Sequence, residues 1–236
     1  MPKENRGNPT KDGDIGRKSM EGLAMLAAAM WLGLFVPAWT LDYWQAWLYW
    51  LVFVASVCAI TAYFIRRDPA LIKSRLTAGA AAEKEGGQKT IQALASICFL
   101  LLFIIPSLDH RYFWSAVPAP LSIAGDVFVV LGLLAVFLVF RENAYASGII
   151  EVREGQRVID TGLYAAVRHP MYSGALLMLF FTPIALGSYW GLLAFFPMLA
   201  LIAFRAVEEE RFLAKSLPGY AEYCQKVRYR LLPLVW

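Results

Sequence analysis

The segment Arg168-His169-Pro170-Met171-Tyr172-Ser173-Gly174 carries more chemical potential than any other in the chain. Proline disfavours helical backbone in the residue before it and suits the first turn of a helix. The spacing therefore predicts an N-cap at His169 and a helix beginning at Pro170. Unpaired amides, the positive end of a helix dipole and the side chains of Arg168 and His169 would then share one place, which favours a carboxylate or phosphate. An interfacial cap beside a snorkelling arginine accounts for the same residues without a ligand. Both readings stand at this level.

A second constellation is Arg205, Glu208, Glu209 and Glu210. Arg205 and Glu209 are four apart and share a helix face. Ionisable groups at a membrane boundary are costly unless paired or solvated and often mark sites; a helix end entering water with an internal ion pair is the plainer alternative. A third is the tail Leu217-Pro218-Gly219-Tyr220-Ala221-Glu222-Tyr223, followed by Val227-Arg228-Tyr229-Arg230-Leu231-Leu232-Pro233. Alone, it reads equally as a surface amphipathic segment. His110 and His169 are the only histidines, and no Cys/His spacing fits a metal site. Cys58, Cys98 and Cys224 suggest no disulfide framework.

The elements that must position these groups are membrane helices. The 236-residue chain is 59% hydrophobic and 17% charged, too apolar for an ordinary soluble domain. Residues 22–41, 43–65 and 90–108 carry no Asp, Glu, Lys or Arg, and between 112 and 140 the only charge is Asp126. Each run reaches the roughly 20 residues that span a bilayer core of about 30 Å. Residues 169–204 are also uncharged, but at about 1.5 Å per residue they would extend roughly 54 Å as one helix. Gly187-Ser188 near the middle, with Pro183 and Pro197 on either side, predicts two short spans folded as a hairpin.

The predicted fold is an all-α polytopic bundle of six spans. A flexible tail (1–20) precedes one membrane domain (21–236). Under six spans, every Lys and Arg except Arg111 falls on one side of the membrane. The positive-inside rule makes that side cytoplasmic and puts both termini there. The first apolar run reads as a retained signal anchor, since it is long and no small-x-small cleavage site follows. Between spans four and five, residues 141–169 combine turn signals at Gly148, Gly155 and Thr161-Gly162 with apolar anchors at Val158-Ile159 and Leu163-Tyr164. Loops without a task rarely keep such anchors. A second connection, residues 66–89, holds the low-complexity run Ala78–Ala82, read as a surface helix and flexible connector. The pI near 9 reflects cytoplasmic loops facing anionic lipid; no aromatic-basic pattern points to nucleic acid.

Taken in order, Arg-His-Pro-x-Tyr-x-Gly, a span pair, Glu-Glu-x-x-Leu, Gly-Tyr-x-x-Tyr, Val-x-x-Arg and a late proline resemble the isoprenylcysteine carboxyl methyltransferase and phospholipid methyltransferase group. The resemblance covers about residues 121–236; the first two spans lie outside it. It implies a cytoplasmic pocket for S-adenosylmethionine. Carried over by position, it implies cofactor contacts from Gln156, Arg157, Val158, Ile159, Tyr164, His169, Pro170, Met171, Tyr172 and Glu209. It also implies a substrate-side role for Arg205. The implied partner is a lipophilic or lipidated substrate reached from membrane lipid. Methyl transfer from a sulfonium is an in-line displacement that rests on positioning and desolvation, which suits a chain without a visible nucleophile.

Two other classes stay open from sequence. A sterol-type reductase using NAD(P)H is similar in its C-terminal bundle, although no added motif here favours a nicotinamide. A non-catalytic membrane protein or transporter is the other, against which stands the near absence of intramembrane charge.

Overall fold

The structure, a computed structural model, describes residues 9–76, 86–146 and 149–236. The run Ala78–Ala82 and the turn signal at Gly148 lie outside these residues. Among the described residues every regular element is helical. The order is α1 (Pro9–Ala38), α2 (Trp44–Arg67), α3 (Pro69–Leu76), α4 (Gly86–Tyr112), α5 (Ala119–Glu142), a 3₁₀ turn (Gly162–Ala165), α6 (Pro170–Ala185), α7 (Leu192–Ser216) and α8 (Tyr220–Lys226).

Four of these helices are long and apolar enough to cross a membrane: Ile15–Ala38, Trp44–Arg67, Gly87–Tyr112 and Ala119–Glu142. At 24 to 26 residues each exceeds the roughly 20 needed for a core of about 30 Å. They hold outward-facing apolar side chains such as Leu51, Ile97 and Val127, all more than half exposed, as lipid-facing surfaces do. Helix α1 begins at Pro9, well before the uncharged run that starts at Gly22, so residues 9–20 are helical.

The chain reverses after α6. Ala185 ends the helix, Gly187 takes φ +76°, and Ser188 Oγ accepts the Gly191 amide at 3.0 Å before α7 begins. Ser188 is buried and anchors the turn to α4, because its Oγ also donates to Asp109, which lies in that helix. The expected hairpin turn thus falls at Gly187-Ser188. At 16 residues α6 is shorter than the other apolar helices.

Small residues bring α5 and α6 together. A Cβ on Gly132 would lie 2.6 Å from the Gly174 carbonyl, and one on Gly125 would lie 2.7 Å from the Ala185 nitrogen. Such backbone approach is how helices associate where no hydrophobic effect separates them from lipid. One apolar core joins Leu34, Phe35, Tyr49 and Phe103 to Val129 and Ala185. A second joins Leu102 of α4 to Leu176 and Leu179 of α6 and to Phe195 and Met198 of α7.

Short α3 is held locally. Asp68 Oδ1 accepts the Leu71 amide at 3.0 Å, an N-terminal capping bond. Leu71, 1% exposed, packs in a cluster with Phe64 and Ala146, joined by Phe137 and Phe140. The first half of the chain is thereby fastened to the loop that follows α5.

Candidate functional site

Helix α6 begins where the proline constraint predicts. His169 is its N-cap, with φ −123° and ψ 62°, and Pro170 opens the helix. No side chain caps it, so the first-turn amides of Met171 and Tyr172, which lack intrahelical partners by position, sit in the wall of a cavity. The amides of Arg168 and His169 are not free. They donate to the carbonyls of Tyr229 and Arg230, both at 2.9 Å, and Ser173 Oγ donates to the Leu231 carbonyl at 2.5 Å. The C-terminal segment is therefore laid along the Arg-His-Pro motif.

The side chains of Arg168 and His169 converge on one carboxylate, Glu210. Arg168 Nε lies 2.8 Å from Oε1, off the axis of a directed hydrogen bond, so this contact is mainly coulombic. His169 Nε2 is 3.2 Å from the same oxygen, and Arg230 Nε donates to Oε2 at 2.9 Å. Burial alone would raise the Glu210 carboxyl, but hydrogen bonds from His169 and Arg230 and the nearby positive charges outweigh it and hold it below the ordinary range.

One turn away, Arg205 and Glu209 are linked through Tyr172. Arg205 Nε donates to the Tyr172 oxygen at 3.1 Å, and the Tyr172 hydroxyl donates to Glu209 Oε2 at 2.6 Å. Arg205 Nη1 reaches Gln92 Oε1 at 2.8 Å and Gln88 Oε1 at 3.3 Å, both on α4. The tyrosine fixes the two charges relative to each other and to the start of α6.

The loop between α5 and α6 closes the opposite wall. Gly155 (φ +73°) makes a turn in which Gln156 Oε1 accepts the Arg153 amide at 2.9 Å. Gly162 (φ +55°) opens the 3₁₀ turn that carries Tyr164. Asn143 Nδ2 donates to the Tyr164 oxygen at 2.9 Å, leaving the phenol proton for another acceptor. Burial pushes the Tyr164 hydroxyl up to about 12, with the Asn143 hydrogen bond acting against it. It is a neutral donor at physiological pH. Tyr223, in turn, donates to the Tyr164 carbonyl at 2.7 Å, and Val158 packs on the cluster of Leu217, Tyr220 and Tyr223.

These elements enclose a cavity that opens to solvent. Gln156, Arg157, Val158, Ile159, Tyr164, His169, Pro170, Met171, Tyr172, Glu209 and Arg205 all line it. Glu208 and Glu210, named with Arg205 and Glu209 from the sequence, are not among the lining residues. Sequence reasoning did not single out Asn143, Tyr145, Ile149, Ile150, Glu151 and Leu213, which also line the cavity. Nor did it find the hub role of Glu210. Among the described residues no cluster of His, Cys, Asp or Glu could hold a metal ion.

Comparison with known proteins bears on the same region. Residues 121–218 match the phospholipid methyltransferase family. No curated protein matches the chain. The matched segment runs from α5 to the end of α7, and so carries both the loop wall and the Arg-His-Pro helix start. That match and four helices long and apolar enough to cross a membrane mark this as an integral membrane protein. Over residues 121–218 the chain is thus similar to the phospholipid methyltransferase family, the same stretch in which its motifs carry the resemblance.

Proposed function

We propose that the cavity holds S-adenosylmethionine at the cytoplasmic membrane face, and that the protein transfers a methyl group to a lipophilic acceptor arriving from the bilayer. The observation that carries this reading is the convergence of all eleven residues implied by the resemblance on one cavity. The donor set suits the cofactor's parts. Arg157 and the first-turn amides of Met171 and Tyr172 suit a carboxylate; Glu209 and Glu151 suit cationic groups; Val158, Ile159, Leu213 and Tyr164 suit a nucleoside. When bound, the cofactor supplies a methyl group activated on a sulfonium. The chain's own part is positioning and exclusion of water. His169, held by Glu210, shapes the cofactor wall, and Arg205 orients the acceptor. Tyr172 holds the acceptor side and the cofactor side in register, through its bonds to Arg205 and Glu209.

Two charges on one helix then have separable duties. Titration of S-adenosylhomocysteine into the full-length protein should give weaker binding for Glu209→Gln, by about tenfold for a lost charged contact. Arg205→Ala should keep cofactor affinity and chiefly reduce methyl transfer to a lipid extract. Equal losses of stability with no specific binding defect would identify the pair as an ordinary helix end. Binding of NADPH in place of S-adenosylhomocysteine would overturn the methyl-transfer reading.

A further inference from the structure

The segment that matches the methyltransferase family starts at residue 121, yet a cation from well before it reaches a wall residue of the site. Arg75, in the last turn of α3, extends over the ring of Phe140 at 4.7 Å from its centroid and places Nη2 3.6 Å from the sulfur of Met171. Its contacts among the described residues are thus an aromatic face and a thioether, neither of them anionic. Burial pulls the guanidinium below its ordinary value; Tyr172 and Tyr164 favour its charge, and the like charge of Arg205 opposes it. The guanidinium nevertheless stays protonated, so α3 delivers a half-buried positive charge within electrostatic range of the acceptor-side arginine.

This placement is built rather than incidental. Asp68 caps α3, and Leu71 is packed against Phe64 and Ala146, the last of which lines the cavity. Met171, which Arg75 touches, is itself a wall residue. The nearby carboxylates are already engaged: Tyr172 donates to Glu209, and Glu210 takes Arg168, His169 and Arg230. A second half-buried guanidinium within electrostatic range of Arg205 is costly for folding, and a bound anion would offset that cost with charge-assisted, bidentate contacts.

We propose that Arg75 is a specificity residue of the acceptor subsite, where with Arg205 it holds an anionic head, a carboxylate or a phosphate, borne on an apolar chain. This rests on the methyl-transfer reading for the identity of the acceptor, but it makes an independent statement about charge. It also gives the N-terminal helices a task, since they deliver Arg75 to the site.

The test uses full-length protein in zwitterionic nanodiscs and four probes: dodecanoate, dodecyl phosphate, dodecylamine and inorganic phosphate. Wild type should bind the first two at least about tenfold more tightly than dodecylamine, the usual scale of a charge-assisted contact. The stronger of the two identifies the head as carboxylate or phosphate. Arg75→Gln should remove the preference and leave S-adenosylhomocysteine affinity within about twofold, a shift too small to represent a lost contact. If Arg75→Gln melts early, Arg75→Lys decides: it keeps the charge but loses the planar fork, so anion affinity should fall while folding is retained. Anion affinity unchanged in Arg75→Lys and Arg75→Gln would overturn the proposal, as would equal binding of dodecylamine. Inorganic phosphate competing as well as dodecyl phosphate would overturn the apolar chain. Absence of S-adenosylhomocysteine binding in wild type would instead sink the methyl-transfer reading and leave the anion result to stand by itself.

Discussion

Glu210 receives Arg168 and His169 from the start of α6 and Arg230 from the C-terminal segment, within 3.2 Å in each case. Three positively charged or chargeable groups around one carboxylate are tolerable at low exposure only while the carboxylate stays ionised. Glu210→Gln would leave the Arg168 guanidinium buried without its counter-charge, and a loss of about 3 kcal/mol is expected from breaking such a pair on one side. Thermal unfolding of the purified variant measures it. The pH dependence follows with a definite sign. The folded carboxyl is held below its unfolded value, so its contribution is fully present above the ordinary glutamate range near 4.3. It is lost as pH falls through the lower, folded value. Melting temperature should drop below about pH 4 in wild type, and that acid step should shrink in Glu210→Gln. An unchanged acid limb would show that Glu210 does not hold the motif together.

At the scale of elements, the crossing of α5 and α6 decides where the site's two walls meet. Gly174 stands one turn inside α6, and a Cβ there would come 2.9 Å from the Ala135 Cβ and from the Gly132 carbonyl. Gly174→Ala should therefore push the start of α6 away from α5, at a cost of about 1–3 kcal/mol for overpacking. S-adenosylhomocysteine affinity should fall with it, because Met171 and Tyr172 ride on that turn. Gly16→Ala in α1, where nothing lies within 4 Å, is the control and should be neutral or slightly stabilising. Equal behaviour of the two variants would remove the close crossing from the account. The same helix explains what was legible in the sequence. The start at Pro170 and the reversal at Gly187 follow from backbone constraints local to those residues. The Gly125 and Gly132 approaches could not be read off, since they depend on which faces of two helices meet. Three successive glutamates hid Glu210 in the same way: at 3.6 residues per turn each looks in a different direction, and only packing says which faces the motif. Arg75, Gln88 and Gln92 reach Met171 or Arg205 across roughly a hundred residues of sequence, a convergence without a local signature.

For the whole molecule, the site's location at one end of the bundle gives its orientation chemical meaning. The helix start of α6, the loop before it and the end of α7 lie at the same end as the loop that carries α3, and the uncharged run of residues 169–204 leads away from them and back. That end holds every lysine and arginine except Arg111 when the chain is taken as six spans. A water-soluble cofactor and an apolar acceptor would there meet from two phases, which gives a methyltransferase a reason to be built as a membrane bundle. The α6–α7 turn then faces the opposite side. Tyr189 in that turn is 44% exposed, unlike buried Ser188, and Gln225 in α8 is exposed at the other end. In a background lacking Cys58, Cys98 and Cys224, Tyr189→Cys should react with an impermeant maleimide added outside intact cells. Gln225→Cys should react only after permeabilisation. Phe113→Cys, at the exposed turn between α4 and α5, should label from outside together with Tyr189→Cys. External labelling of Gln225→Cys alone would invert the orientation, and protection of Tyr189→Cys with labelling of Phe113→Cys would mean that α6 and α7 do not form a transmembrane pair.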